Sequence, residues 1–224
     1  MIYFLTVSNT FDLVQIGLFG NNHLIDSISD DKLYVSKNII LLIDSLLAKN
    51  NKKLSDLSFI AANQGPAPYT TLRVVLTTVN GISFSTNIPL IGLDGLELFA
   101  QEYMDTHYPQ TVIVQNAFNQ ELYYALVSCQ GILSKGYNTA SECIQFINET
   151  FPCNTIRILG NGYMLHKQLF DEAFGSRIAC PQPIPTNPSL SFLGNAAYAL
   201  WQKEAHQSEQ LLPLYLKTVI INPA

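Results

Sequence analysis

Histidine and cysteine are the residues that would hold a zinc or iron ion, and in this chain neither type is paired. Such sites need ligands at turn or helical spacing, as in His-Glu-x-x-His or Cys-x-x-Cys. The histidines lie in separate segments of the chain: His23, His107, His166 and His206. The cysteines form no close pair and are expected to be buried thiols: Cys129, Cys143, Cys153 and Cys180. We therefore predict no metal site.

Nucleophilic catalysis would need a serine or cysteine exposed on a sharp turn, with a base that takes its proton. The chain contains no Gly-x-Ser-x-Gly sequence. Its carboxylates offer no distinctive pair, since Asp30 and Asp31 form a polar turn ahead of a helix, where negative charge complements the helix amino terminus. A triad assembled from distant segments stays open, but no residue is predicted to be catalytic.

The composition favours a protein partner over a nucleic acid. Charged residues make up 13% of the 224 residues and apolar residues 48%, whereas an average globular domain is about 25% charged. A surface poor in charge resembles the centre of a protein interface, although a compact protein with a large core would have the same composition. The net charge of −5 disfavours direct nucleic-acid binding, which depends on lysines and arginines that displace phosphate counterions.

The sequence shows no feature that would take the chain to a membrane. The first segment, MIYFLTVSNT, lacks the basic start and long apolar run of a signal peptide. The longest aliphatic run, Ile39–Ile43, is far shorter than the roughly 20 residues that span a bilayer. The basic cluster Lys49, Lys52 and Lys53 lies at the end of a predicted helix, where cations are stabilised by the helix dipole. We therefore expect a cytoplasmic protein.

Hydrophobic periodicity predicts the same order of elements in each half of the chain: three strands, a helix, a strand and a helix. In the first half, strands are predicted at 2–8, 12–19, 23–28, 57–62 and 89–93, and helices at 36–50, 70–86 and 94–104. In the second half, strands are predicted at 111–117, 121–129, 131–137 and 156–160, and helices at 139–150 and from about 163. Ser36 is the predicted N-cap of the first helix.

This repeated order predicts an α/β protein of two lobes, each a mixed β-sheet flanked by helices. The lobes are predicted at 1–106 and 107–224. Prolines between 181 and 188 predict an extended connection, and Pro188 suits the first turn of a last helix that runs through Trp201. That helix is expected to pack near the junction of the lobes.

The same two-lobed order is found in the group of actin, Hsp70 and the sugar kinases, which binds ATP between its lobes. Those proteins place Mg²⁺ with an aspartate in the first strand of each lobe. Here Thr6 and Asn116 are predicted at those positions, and neither supplies the anionic oxygen that Mg²⁺ prefers. The turn Ser8–Phe11 also lacks a glycine that would let backbone amides close on a phosphate. No cofactor is predicted, and nucleotide binding without catalysis stays open.

The segment Gly65–Val74 resembles the G-P-G-S-F-T-G-L-R-I signature of the TsaB family, also called YeaZ. Ser36–Leu47 resembles the first helix of that family, and Ile88–Leu93 resembles its I-P-L-I-G-V stretch. Asn116–Ala125 and Pro213–Lys217 resemble two further segments, D-A-R-R-G-E-V-Y-A-A and P-x-Y-L-R. The motifs are loose but lie in the same order over nearly the whole chain.

The chain departs from the family pattern at several of these positions. Ala67 and Thr71 replace glycines of the signature, and Pro68 replaces its serine. Val35 replaces a histidine. In the second half, Asn116 and Phe118 replace an aspartate and an arginine. These changes put ligand binding at the loop in doubt and leave the fold prediction unchanged.

The resemblance implies a non-catalytic member of the actin-like ATPase (ribonuclease H-like) superfamily. TsaB proteins form a heterodimer with TsaD, the enzyme that transfers threonylcarbamoyl to adenosine 37 of certain transfer RNAs, and an ATPase, TsaE, joins the pair. A homodimer of the isolated chain is a further expectation. The wider family has also been described as glycoprotease-like, so a peptidase is the alternative function.

In the family, the dimer interface uses helices that correspond here to 36–50 and 70–86. Leu41 falls off the buried face of the first predicted helix, and Thr70, Thr71, Thr77 and Thr78 would let the second pack closely on a partner. Those threonines would equally suit packing under a neighbouring helix. Arg73 would either anchor the loop or face the partner. The predicted interface residues are Ile40, Leu41, Asp44, Tyr69, Thr70, Leu72, Arg73, Thr77 and Thr78.

Overall fold

A computed structural model describes residues 1–204 and 207–216 of the chain. Its contacts divide these residues into two compact units. The first contains Met1–Leu98 and Ser189–Leu214, and the second contains Phe99–Pro188 with Tyr215 and Leu216. The sequence placed the boundary between lobes at 106–107, whereas the first unit ends at Leu98 and takes in a late segment of the chain.

The first unit is built on a mixed six-stranded sheet in the order β11-β5-β4-β1-β2-β3. Its strands are β1 (Tyr3–Asn9), β2 (Leu13–Gly20), β3 (His23–Asp31), β4 (Leu57–Asn63), β5 (Leu90–Leu93) and β11 (Gln207–Ser208). The first three strands form an antiparallel meander, and β1, β4 and β5 run parallel to each other. The short strand β11 closes one edge by pairing antiparallel with β5.

Helices cover both faces of this sheet. The helices are α1 (Lys32–Lys49), α2 (Tyr69–Thr86), α7 (Leu190–Gln202), and α3 (Gly95–Glu102), which begins in the first unit and ends in the second. On one face, buried residues of α1 and α2 pack with Leu5, Val7 and Ile60 of the strands. On the other face, α7 packs with Phe4, Phe19 and Phe59.

Stacked aromatic rings join α7 to the sheet. The ring centroids of Phe4 and Phe59 lie 4.3 Å apart, and those of Phe59 and Trp201 lie 4.8 Å apart. Gly194 permits this approach, since a Cβ at that position would come within 2.2 Å of the Phe19 ring. A side chain at Gly194 would therefore push α7 away from the sheet.

The second unit is built on a mixed five-stranded sheet in the order β10-β9-β6-β7-β8. Its strands are β6 (Gln110–Asn116), β7 (Glu121–Ser128), β8 (Gly131–Thr139), β9 (Ile156–Leu159) and β10 (Ile178–Ala179). Its helices are α4 (Ala140–Thr150), α5 (Asn161–Leu165) and α6 (Lys167–Phe174). Thr139 and Glu142 form a capping box at the start of α4, so the sequence itself sets that helix boundary. Short 3₁₀ turns lie at Leu54–Asp56 and Gly175–Arg177.

The predicted element order is confirmed, with corrections at three helix starts. The first helix begins at Lys32 with Asp31 as its N-cap, and the Ser36 hydroxyl donates to the Lys32 carbonyl inside the helix. The last helix is capped by Ser189, so Pro188 lies before the cap and not in the first turn. The helix predicted from about 163 consists of two helices that begin at Asn161 and Lys167.

The prediction of four buried thiols is wrong for half of them. Cys143 is buried in the second unit, and burial raises the pKa of its thiol to about 12. Cys180 is half-buried, whereas Cys129 and Cys153 are exposed. Both exposed cysteines lie at or just after the end of a regular element, where the hydrophobic pattern that predicts burial does not extend.

No helix within residues 1–204 and 207–216 combines the length and apolar character needed to cross a membrane.

A polar contact fixes the end of α1 against the meander. The Lys49 ammonium lies 2.8 Å from the Asp26 carboxylate of β3, and the Asn50 amide donates to the same oxygen at 3.0 Å. These donors lower the pKa of Asp26 from its ordinary value of 3.8 to about 2. The folded state therefore keeps this carboxylate ionised at a pH where the unfolded chain has taken up a proton.

We expect Asp26→Asn to lower stability at neutral pH and to matter less in acid. Since the pKa of the folded state lies below that of the unfolded state, the stabilisation is present above about pH 3.8 and is lost as the pH falls toward about 2. Urea unfolding of wild type and variant at pH 7 and pH 3 would measure this loss. The control is Asp44→Asn, which removes an exposed carboxylate of α1. An Asp26→Asn effect that stays constant between the two pH values would contradict the assignment.

Candidate partner-binding site

Helix α1 carries large apolar side chains on both of its sides. Its inner side is buried in the core through Val35, Ile39, Ile43, Leu46 and Leu47. Four large apolar or aromatic residues of the same helix are exposed: Leu33, Tyr34, Ile40 and Leu41. Leu41 is 67% exposed and Ile40 is 63% exposed. Exposed apolar residues at this density on one helix are typical of a surface that another protein covers.

Helix α2 has a buried apolar side and an outer side of mostly small residues. Its core side includes Val75, Leu76 and Val79. Helical spacing puts Thr70, Thr77 and Gly81 on the opposite side, and a Cβ at Gly81 would meet no atom within 4 Å. Phe84 follows one turn later and is 91% exposed. A partner element could therefore approach the backbone of α2 closely and meet an aromatic ring at its end.

The outer sides of the two helices belong to one surface. Both helices pack on the same face of the first sheet and contact each other, so the sides turned away from the sheet adjoin. We call this surface the α1/α2 face. Its residues include Ile40, Leu41, Asp44, Thr70, Arg73, Thr77 and Phe84.

The structure exposes most of the predicted interface residues and buries one of them. Ile40, Leu41, Asp44, Tyr69, Thr70, Arg73 and Thr77 are exposed, and Thr78 is half-buried. Leu72 is only 3% exposed, since its side chain points into the core between α2 and the sheet. Leu72 therefore supports the helix and does not contribute an exposed side chain to a surface. The sequence did not single out Leu33, Tyr34 and Phe84, whose positions are exposed only because of how each helix is rotated on the sheet.

Arg73 is exposed and lies against an aromatic ring. Its guanidinium carbon is 4.1 Å from the centroid of the Tyr69 ring, one turn earlier on α2. This stacking holds the guanidinium group at the start of the helix. Because the Arg73 side chain is already restricted, it would lose less conformational entropy when a partner binds. The Thr78 hydroxyl donates to the Val74 carbonyl at 2.9 Å, so its polar group is satisfied within the helix.

The loop before α2 is held by hydrogen bonds from three parts of the first unit. The Gly65 amide donates to the Asn63 side-chain oxygen and the Gly65 carbonyl accepts from the Gly95 amide, both at 2.9 Å. The Gln64 carbonyl accepts from the Leu214 amide at 2.9 Å. Gly65 adopts a φ of +124°, which favours glycine. The loop's polar groups are thus engaged in holding its own shape and the position of α2.

The first strand offers no open phosphate site. Thr6, which the sequence predicted at a metal-binding position, is fully buried inside β1, three residues before the strand ends at Asn9. The polar residues at the end of the strand are Ser8 and Asn9, and both are buried. The side-chain polar atoms of Thr6, Ser8 and Asn9 have no hydrogen-bond partner within the described chain and no solvent access.

Asn116 in the second unit is used to shape a turn. Its side-chain oxygen accepts from the backbone amide of Phe118 at 2.9 Å, and its backbone amide donates to the side-chain oxygen of Asn161 at 3.0 Å. Phe118, Asn119 and Gln120 all have positive φ angles. The residue predicted in place of a magnesium-binding aspartate therefore holds the β6–β7 turn.

Within residues 1–204 and 207–216, no three His, Cys, Asp or Glu residues cluster as a metal site would require, and His206 lies outside the described residues.

Comparisons with known proteins identify the family. A protein-family model described as TsaD, tRNA N6-adenosine threonylcarbamoyltransferase, matches residues 34–211. A curated relative from Haemophilus influenzae, the tRNA threonylcarbamoyladenosine biosynthesis protein TsaB, is 25% identical over 197 residues, which cover 83% of this chain and 80% of the relative. The chain belongs to the TsaD family, in its TsaB (YeaZ) branch.

Solved structures confirm the predicted fold. YeaZ from Pseudomonas aeruginosa aligns with a TM-score of 0.67 at 18% identity, and the alignment covers 96% of this chain and 100% of the YeaZ chain. A Bacteroides thetaiotaomicron protein with an actin-like ATPase fold aligns with a TM-score of 0.51 at 7% identity. That alignment covers 86% of this chain and 94% of the Bacteroides chain. The resemblance to the TsaB family and the actin-like fold are both confirmed.

Within the closing Pro213–Lys217 motif, Lys217 lies outside the described residues.

We expect Asn63→Ala to loosen the TsaB signature loop. Asn63 is buried, accepts from Gly65 and donates to the Asn9 carbonyl at 3.3 Å. Removal of a buried hydrogen-bonding side chain costs about 1–3 kcal/mol. Urea unfolding would measure the loss, and hydrogen exchange of the Gly65 amide should become faster than that of amides within α2.

The matched control is Asn38→Ala on α1, where the amide donates to the Tyr34 carbonyl of its own helix. Its effect on stability should stay within about 0.5 kcal/mol. Equal effects of the two variants, or an unchanged exchange rate at Gly65, would show that Asn63 does not organise the loop.

Proposed function

We propose that this chain is a non-catalytic subunit that binds a TsaD-type transferase and supports formation of N6-threonylcarbamoyladenosine in transfer RNA. The observation that carries the proposal is the α1/α2 face, which exposes large apolar residues on α1 beside small residues on α2. Membership of the TsaB branch supports the choice of partner, since TsaB relatives are named for the biosynthesis of this modified nucleoside. We expect the chain to act in the cytoplasm.

The shape of the face suits helix packing. Thr70, Thr77 and Gly81 present small groups on the outer side of α2, while Ile40 and Leu41 of α1 are large, apolar and exposed. Helices pack when side chains that project from one enter the grooves of another. A partner with two adjacent helices could therefore pack its own apolar side chains against the small residues of α2. The apolar side chains of α1 would then pack between the two helices of the partner.

The division of work between the subunits follows from charge and chemistry. The chain carries a net charge of −5, so contact with transfer RNA falls mainly to the partner. In this proposal the TsaD-type subunit supplies the transferase site, and a TsaE-type ATPase joins the assembled pair. The chain contributes a surface that holds the transferase in an active arrangement.

The same face could also pair with a second copy of this chain. An isologous pair would bring α1 and α2 of one copy onto the corresponding helices of the other. Such a homodimer would compete with the heterodimer because both would cover Leu41 and Thr77. It is an outcome that the binding experiment would reveal.

We expect Leu41→Asp and Thr77→Arg to weaken binding of the TsaD-type protein by about tenfold or more each. Leu41→Asp would bury a carboxylate against apolar atoms of the partner, and Thr77→Arg would place a long charged side chain among the small residues of α2. Isothermal titration with the TsaD-type protein of the same organism would measure the change. The matched control is Leu169→Asp, an exposed apolar residue of α6 in the second unit.

The proposal fails if wild type and the TsaD-type protein, both folded, do not associate at tens of micromolar. It also fails if Leu169→Asp weakens binding as much as Leu41→Asp, since the interface would then not be confined to the α1/α2 face. A reconstituted modification assay provides the functional readout. The isolated chain should modify no transfer RNA, and its addition should raise the rate of the partner.

A further inference from the structure

A cavity lies at the end of helix α2 in the first unit. Its volume is about 460 Å³. It is formed where the last turn of α2 leads into β5 and where the chain returns after β11. Its lining residues include Ser83, Phe84, Asn87, Pro89, Ser208 and Glu209.

The charge in this cavity is negative and is not balanced by the described lining. Glu209 is exposed and brings a carboxylate to one wall. The last turn of the 18-residue helix α2 contains no basic residue, so no cation of that turn offsets the negative end of its dipole. The described residues that line the cavity include no lysine or arginine. A cation entering this space would be attracted from two sides.

An aromatic ring completes the wall. Phe84 lines the cavity and is 91% exposed, so its ring is available to a ligand. The face of an aromatic ring attracts a cation that loses part of its hydration. A carboxylate, a helix carboxyl terminus and a ring together suit a guanidinium group, which is planar, stacks on rings and donates several hydrogen bonds.

The cavity is also continuous with the α1/α2 face. Phe84 lies seven residues after Thr77 on α2, which places both on the same side of the helix. A protein that covered Thr77 and Gly81 would therefore reach the mouth of the cavity. The position indicates that the occupant belongs to the partner that covers the helices.

We propose that this cavity binds an arginine side chain of the partner subunit, with Glu209 as its ion-pair acceptor and Phe84 as its stacking surface. The inference rests on the proposed function, since it assigns a second recognition element to the same interface. The acidic cavity at the end of α2 would orient the partner and the apolar face would supply most of the contact area.

The test is to titrate the TsaD-type protein with wild type, Glu209→Gln and Phe84→Leu, at about 50 mM and about 500 mM salt. Glu209→Gln should raise Kd about three- to fivefold at low salt and less at high salt, since an exposed ion pair is screened. Phe84→Leu keeps an apolar contact but removes the ring, and should raise Kd about twofold or more at both salt concentrations. The control is Glu172→Gln, an exposed glutamate of α6 that should leave Kd unchanged.

A charge exchange would identify the partner residue. Among arginines of the partner, one substitution to glutamate should weaken binding of the wild-type chain and regain affinity when combined with Glu209→Arg.

The cavity assignment would be overturned if wild type binds and Glu209→Gln has an unchanged Kd at both salt concentrations. That result would leave the α1/α2 face intact. A Phe84→Leu effect without a Glu209→Gln effect would also overturn it, because the cavity would then hold an apolar group. Failure of wild type to bind at all would overturn the proposed function and this inference together.

Discussion

The first unit depends on burial of both faces of its central strand. Strand β1 lies between β2 and β4, and its residues from Phe4 to Asn9 are all buried. A strand in this position must be covered on two sides, which requires two separate layers of helix. Helices α1, directly after the meander, and α2, after β4, supply one layer. The second layer comes from α7, near the other end of the chain, through the stacking of Phe4, Phe59 and Trp201.

This requirement also accounts for the α1/α2 face. Since each of these helices gives one side to the core, its remaining apolar residues must lie on the outside. Ile40 and Leu41 of α1, and Phe84 of α2, are exposed for that reason. Their burial by another protein would remove from water the apolar surface that the fold leaves uncovered, which is the main driving force in most protein association. The exposed apolar residues of the α1/α2 face are thus a consequence of how the first sheet is covered.

The signature loop has a structural role in this molecule. Its backbone is hydrogen-bonded to Asn63, which directly precedes the loop, and to Gly95 and Leu214 from two other segments of the first unit. In superfamily members that bind nucleotides, glycine-rich loops present backbone amides to phosphate. Here the loop amide of Gly65 is already engaged, while Thr6, Ser8 and Asn9 are closed off from solvent. The hydrogen bonds of the loop hold the start of α2 in place.

The sequence by itself determined the order of elements, the TsaB resemblance and the helices of the candidate interface. Periodicity located α2 within a residue of its true start because its buried residues recur at helical spacing over 18 residues. It misplaced the start of α1, since both Asp31 and Ser36 are good N-caps and the packing of Val35 on the sheet selects the earlier one. The interface residues predicted from the family resemblance also included Leu72, although the rotation of α2 on the sheet turns it into the core.

Tertiary structure alone decided which distant residues meet. Glu209 joins Phe84 at one cavity only because β11 returns to pair with β5, a contact between segments more than a hundred residues apart. The covering of the first sheet by α7 was also not predicted, since the sequence analysis assigned this helix to the second lobe and expected it to pack near the junction of the lobes. Local propensity and periodicity act over a few turns, whereas such contacts depend on burial of surface from across the whole chain.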